Sequence, residues 1–173
     1  MPSGFLHYFY PVMIKATTTD RALITTLLAR CFDANKSVNY IIPQDHHRSK
    51  RILHLMEYSF DYCLLFGDIF LSDDKQGCAL VLLPHKVKTT LQSTLLDLRL
   101  MLRCVGLRNL CKVLQREAIT KKLHPREPFA YLWFIGVSPE TQQKGIGSTL
   151  LRKIFACINS IAAQSKCLNI LSL

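Results

Sequence analysis

The stretch VSPETQQKGIGSTLLRKI, residues 137–154, decides how the rest of the chain is read. Gly145 and Gly147 open a run in which Leu150, Leu151 and Ile154 recur at helical spacing. Glycine costs a helix roughly 1 kcal/mol relative to alanine, so two of them there need a reason. The preceding segment supplies it. PFAYLWFIGVSP (128–139) is apolar almost throughout, as a central strand covered on both faces must be, and Ser138-Pro139 ends it in a turn. The order is buried strand, polar loop, two glycines, amphipathic helix. A helix N-terminus presents unpaired N–H groups and a partial positive charge, and glycine there lets an anion come close to the backbone. Lys144 adds a full charge at the same spot. The loop reads as a cradle for a phosphate.

Two common phosphate patterns do not fit. No Lys-Ser or Lys-Thr follows a second glycine at the nucleotide-loop spacing, and Leu150 stands where the third glycine of GxGxxG belongs. The residues do fit V-x-P-x-x-(Q/R)-x-x-G-x-(G/A), through Val137, Pro139, Gln142, Gly145 and Gly147, with Gln143 and Lys144 between. This resembles motif A of the GNAT superfamily of N-acetyltransferases, and the resemblance is dense over residues 131–158.

The resemblance implies an α/β fold of α+β type for a single domain over residues 1–173. It implies a mixed, mostly antiparallel sheet flanked by helices, with residues 89–126 a helical insertion between strands three and four. Acetyl-CoA is the implied co-substrate. Its pyrophosphate would lie on the amides of Gln143, Lys144, Gly145, Ile146, Gly147 and Ser148, with Gln142 opening the loop. Its pantetheine arm would pair like an extra strand with Phe134, Ile135, Gly136 and Val137, and Gly136 is where the bulge of that strand is expected. The implied chemistry is attack by a neutral primary amine, of a small molecule or a peptide, on the thioester carbonyl.

Tyr131 and Trp133 alternate with Ile135 and are candidates to line the acceptor cleft, although ordinary core aromatics would look the same. Family members often carry a tyrosine after strand five that protonates the thiolate, and some carry a glutamate base in strand four. The sequence ends at Leu173 and strand four has no acid, so no catalytic acid or base is assigned and impaired transfer is expected. Missing C-terminal strands would leave the edge of CLNILSL (167–173) open to self-association. The rivals are a non-catalytic or degenerate CoA-binding protein and a basic nucleic-acid-associated module.

Working outward, VMIKATT (12–18) reads as a strand, and Leu23 to Phe32 repeat at helical spacing after N-cap residues at 18–20. NYIIP (39–43) reads as a break before a second helix from Asp45 to Phe66. DIFLS (68–72) and CALVLLP (78–84), separated by DDKQG, read as an antiparallel hairpin. Residues 89–122 read as two helices broken near Gly106 and packed by their leucines, Gly145 to Gln164 as the last helix and 167–173 as the last strand.

Net charge is +10, and residues 98–126 hold eight basic side chains against one acid, Glu117. Arg99 and Arg103, then Lys112 and Arg116, are spaced to share helix faces, which reads as a solvated surface. No aromatic interleaves them, which argues against stacking on single-stranded nucleic acid. His47, His54 and Asp61 recur every seven residues, but adjacent Arg48, Lys50 and Arg51 would oppose a cation, so no metal is expected. The seven cysteines contain no CxxC pair and suit reduced thiols in a cytoplasm. No apolar run approaches the roughly 20 residues that cross a bilayer.

Overall fold

The computed structural model describes residues 13–125, 128–143, 145–164 and 169–172. The strands are β1 (Met13–Lys15), β2 (Gly67–Ser72), β3 (Gly77–Leu82), β4 (Phe129–Val137) and β5 (Asn169–Ser172). The α-helices are α1 (Arg21–Cys31), α2 (Lys36–Ile41), α3 (Arg48–Phe66), α4 (Leu91–Leu100), α5 (Gly106–Leu123) and α6 (Ile146–Gln164). The strands lie in sequence order in one sheet, antiparallel from β1 to β4, with β5 parallel to β4. A parallel neighbour needs a crossover, and α6 provides it. The mixed, mostly antiparallel sheet and the helices between β3 and β4 are as expected.

Each face of the sheet has its own apolar layer. On one, Ile24 and Leu28 of α1 and Ile52, Met56 and Phe60 of α3 meet Ile69, Leu71, Cys78, Leu80 and Phe134. On the other, Leu150, Ile154 and Ile158 of α6 meet Phe70, Ala79, Val81, Ala130 and Leu132. Alternation along β2 and β3 thus sends successive side chains to different helices. Full burial of one such side chain stabilises the fold by roughly 1.5–3 kcal/mol.

Local chemistry sets the boundaries. Asp20 accepts the Thr17 N–H at 3.0 Å just ahead of α1. The hairpin turn puts Lys75 at φ 55°, and the Ser72 hydroxyl closes it by accepting the Gly77 N–H at 2.8 Å. Arg21 spans α1 and α3, donating to both oxygens of Asp61 at 2.8 and 2.9 Å and to Glu57 at 3.1 Å. His54 lies 2.9 Å from the other oxygen of Glu57. Two members of the seven-residue stripe, His54 and Asp61, are therefore occupied by this helix clamp. Among the described residues no His/Cys/Asp/Glu group could hold a metal ion.

Three local expectations are corrected. Residues 39–43 are not simply a break, because α2 occupies Lys36–Ile41; Asn35 caps it, accepting the N–H of Ser37 at 2.9 Å and of Val38 at 3.1 Å. The bulge of β4 lies at Trp133, not Gly136. Leu80 pairs with Phe134 and Val81 with Leu132, which leaves Trp133 as the extra residue, whereas Gly136 pairs regularly with Cys78. Most of the leucines expected to pack the insertion do not, although Leu96 and Leu100 do. Leu91, Leu95, Leu98, Leu102 and Leu114 are exposed, and Leu96, Cys104 and Val105 face inward instead.

The insertion consists of α4, a π-helical turn at Met101–Val105, and α5, which starts at Gly106 with φ +67°. It docks on α3 and α2 by specific contacts. The Tyr58 hydroxyl donates to Asp97 at 2.8 Å, Cys104 Sγ to the Arg51 carbonyl at 3.3 Å, and Asn109 to the Ile41 carbonyl at 3.1 Å. Lys112 sits 5.0 Å from the centre of the Tyr40 ring, and Arg116 donates to the Ser37 carbonyl at 3.2 Å. Two of the basic residues read as solvated thus tie the insertion to α2.

Cys63, Cys78 and Cys104 are fully buried, and burial pushes all three thiols up, Cys104 to about 12. Cys111 is exposed. Iodoacetamide at pH 8 should therefore modify Cys111 before these three, which react slower by orders of magnitude, since only the thiolate reacts. Peptide mass spectrometry of briefly labelled native protein checks the order. A second expectation concerns Gly67, where an added Cβ would lie 2.0 Å from the Val81 carbonyl oxygen. Gly67→Ala should force β2 and β3 apart at one end and cost about 2–3 kcal/mol, read as a lower urea midpoint.

Candidate functional site

The glycine loop runs from the end of β4 into α6. Ser138 and a short 3-10 turn at Pro139–Thr141 turn the chain, and Gln142 is extended with φ −59° and ψ 157°. Gln143 then takes φ 69° and Gly145 φ 78°, two left-handed positions within three residues. Glycine occupies the second of them without strain. No atom lies within 4 Å of a Cβ built on Gly145, so the constraint there is conformation and not space. Gly147 differs. A Cβ there would meet the Val137 side chain at 3.3 Å, so α6 crosses the end of β4 closely because residue 147 has no side chain.

The first intrahelical bond of α6 is Thr149 N–H to the Gly145 carbonyl at 2.9 Å. The N–H groups of Ile146, Gly147 and Ser148 precede it and have no acceptor within the helix. Three donors at the positive end of a 19-residue helix can hold an oxyanion. Gln142, Gln143 and Ser148 are exposed beside them. Lys144 lies outside the described residues. The Gln142 side chain approaches the Val137 carbonyl at 3.4 Å, a weak contact that leaves it free to turn to a ligand.

Several bonds hold the exit of β4. The Ser138 N–H donates to the Gln76 carbonyl in the hairpin turn at 2.7 Å, and Cys31 Sγ donates to the Val137 carbonyl at 3.1 Å. Glu140 accepts from the Ser138 hydroxyl and from Arg30 of α1. These contacts, the Ser138 hydroxyl first, hold the Glu140 carboxyl down at about 2, so it is ionised throughout the neutral range.

One edge of β4 is paired with β3 from Tyr131 to Val137, around the bulge, and the other meets β5 only from Phe129↔Asn169 to Leu132↔Ser172. Residues 133–137 of that second edge face no strand among the described residues. Phe134, Ile135, Gly136 and Val137 therefore stand on a strand edge that leads straight into the loop of Gln142, Gln143, Gly145, Ile146, Gly147 and Ser148. An extended chain bearing amides and ending in phosphates matches that arrangement.

The bulge changes the reading of the aromatics. Trp133 and Phe134 both turn toward α3, while Ile135 packs toward α6, so Trp133 and Ile135 do not share a face. The Trp133 ring lies 6.1 Å from Tyr58 and 5.9 Å from Tyr62, edge-on to both. Tyr131 lies 5.8 Å from the His124 ring. Burial raises the phenols of Tyr58, Tyr62 and Tyr131, so all three keep their protons at neutral pH. The Tyr58–Tyr62–Trp133 group was not legible as a unit, because α3 and β4 meet only in the fold. A small cavity lined by Met13, Ser72, Ile146, Thr149 and Lys153 holds about 30 Å³, too little for a cofactor.

Comparison with known proteins bears on the fold that carries this loop. The model of the acetyltransferase (GNAT) family matches residues 104–171, which run from the π-helical turn through α5, β4, the glycine loop and α6 into β5. Among curated proteins no sequence match is found. Among solved structures, one from Corynebacterium glutamicum described as histone acetyltransferase HPA2 and related acetyltransferase superposes with a TM-score of 0.57 at 21% identity. That likeness covers 84% of this chain and 70% of the other. An integron cassette protein from the mobile metagenome of Cole Harbour Salt Marsh has a TM-score of 0.49 at 11% identity, over 98% of this chain and 82% of that one. Strand order, glycine loop and family match converge on one assignment: the chain carries the acetyltransferase (GNAT) fold, and residues 104–171 are its match to the family.

Proposed function

We propose that the protein binds acetyl-CoA and transfers its acetyl group to a primary amine. The carrying observation is one juxtaposition: the strand edge at residues 133–137 runs into a helix start whose first three N–H groups lack helical acceptors. In this reading the pyrophosphate rests on the amides of Ile146, Gly147 and Ser148, with Gln142 and Gln143 alongside. The pantetheine amides pair with Phe134, Ile135, Gly136 and Val137 as an added strand. The thioester then reaches toward the bulge at Trp133, and Tyr131 and Trp133 border the acceptor.

The chemistry is acyl transfer. The amine nitrogen attacks the thioester carbonyl, the new C–N bond forms, and the C–S bond breaks with its electron pair going to sulfur. The ammonium proton leaves to water or a base, and the thiolate takes a proton from solvent or an acid. A backbone N–H aimed at the developing oxyanion would supply the largest stabilisation. The absence of any carboxylate in β4 favours a second reading, a CoA-binding protein without turnover.

Isothermal calorimetry tests the loop. Acetyl-CoA should bind the parent protein, and Gly147→Val should weaken it at least tenfold, because the added side chain stands over the exposed amides. The contact with Val137 means this variant also strains the helix start, so circular dichroism must accompany the titration. Gly145→Ala should cost about 1 kcal/mol of stability through its positive φ alone, read from urea unfolding. Unchanged affinity in a folded Gly147→Val protein overturns the assignment of the loop.

A thiol-release assay across small amines and peptide N-termini separates the two readings. Turnover near the roughly 10 per second typical of enzymes establishes transfer. Acetyl-CoA binding with no release of CoA for any amine establishes the second reading.

A further inference from the structure

The insertion turns the wrong side of its first helix to solvent. Leu91, Leu95, Leu98 and Leu102 follow one another at spacings of four, three and four, so they form a single ridge along α4 and the π-helical turn. Their exposures are 94%, 48%, 49% and 68%. The opposite side, which packs on the protein, carries buried Ser93 along with Leu96. Four leucines have been kept on the outside of a helix whose inner side includes a serine. A helix that only needed to pack and dissolve would have the reverse pattern.

The charge around the ridge is mostly positive. Arg99 and Arg103, four residues apart, border it and are exposed, and exposed Lys86 and Lys88 lie just before α4. The one acid of α4, Asp97, is also exposed, but its carboxylate is engaged by the Tyr58 hydroxyl, which donates to it at 2.8 Å. We infer that α4 is a membrane-surface helix that lays Leu91, Leu95, Leu98 and Leu102 into an anionic lipid surface, with Arg99, Arg103, Lys86 and Lys88 on the headgroups. Such a helix lies in the interface plane, its apolar side in the acyl boundary and its cations on the phosphates. No described helix is long and apolar enough to cross a membrane, so the contact is peripheral.

The same features disfavour a second copy of the chain. A coiled-coil pairing needs three or four heptads, and α4 with its π turn covers about two. The ridge also lacks the aromatic anchors that dominate protein interfaces, offering only flexible leucines. Lipid needs neither shape nor anchors.

Co-sedimentation with vesicles tests the inference on the whole chain. Vesicles of phosphatidylcholine and phosphatidylserine at about 7:3 should carry the protein down at 0.1 M salt, and pure phosphatidylcholine should not. Raising the salt to 0.5 M should release it. The double variants Leu95→Gln/Leu98→Gln and Arg99→Glu/Arg103→Glu should each weaken partition at least tenfold. The leucines are exposed, so their loss opens no cavity, and unchanged circular dichroism confirms the fold. No binding to the anionic vesicles overturns the inference, as does equal binding of the Arg99→Glu/Arg103→Glu variant. Light scattering that shows a dimer dissociated by the leucine variant overturns it in favour of a second copy.

Discussion

A strand in the middle of a sheet must satisfy the backbone groups on both its edges, and β4 leaves one of them open from Trp133 onward. Its β3 edge is paired from Tyr131 to Val137, and its β5 edge only from Phe129 through Leu132. The rest of the candidate site depends on that inequality. A strand edge is useful for recognition only if it is held still while left unpaired, and the protein holds it from the side and from the end. β3 fixes the side. The Ser138 N–H, the Val137 carbonyl and the Glu140 carboxylate fix the end against the hairpin turn, α1 and each other.

The glycine loop carries the same logic one step further along the chain. Backbone amides can recognise an anion only where no secondary structure has used them, which means the first turn of a helix. Gly145 supplies the left-handed turn that starts α6 in the right direction, and Gly147 lets the helix cross Val137 closely. Strand edge and helix start therefore form one continuous run of polar backbone, bounded by apolar layers on both faces of the sheet.

Much of this was legible because long, uniform signals wrote it. The apolar run of β4, the turn at Pro139 and the glycines before an amphipathic helix each announce a boundary that tertiary contacts do not move. What escaped was short or relational. α2 has six residues, too few to display a period, and only its Asn35 cap carries a local signal. The bulge at Trp133 is a property of the register between two strands separated by the whole insertion, and β4 alone does not reveal it. Leu91, Leu95 and Leu98 of α4 looked like packing because periodicity says that a helix has an apolar side, not which way that side points. The contact between Trp133 and two tyrosines of α3 was hidden for the same reason.

The insertion also changes the chain statistics of the sheet. β3 ends at Leu82 and its antiparallel neighbour β4 begins at Phe129, a separation that a turn of a few residues could span. More than forty residues sit there instead, a closed loop roughly ten times longer. Closing it costs the folding chain roughly 2 kcal/mol more than closing a tight turn, since each doubling of length adds about 0.6 kcal/mol. The contacts of α4 and α5 with α2 and α3 must offset that entropy before they stabilise anything. The central strand pair is therefore a non-local contact, and its formation waits on a segment that folds by local helical propensity. A pairing that looks like a hairpin in the sheet behaves kinetically as a long-range one.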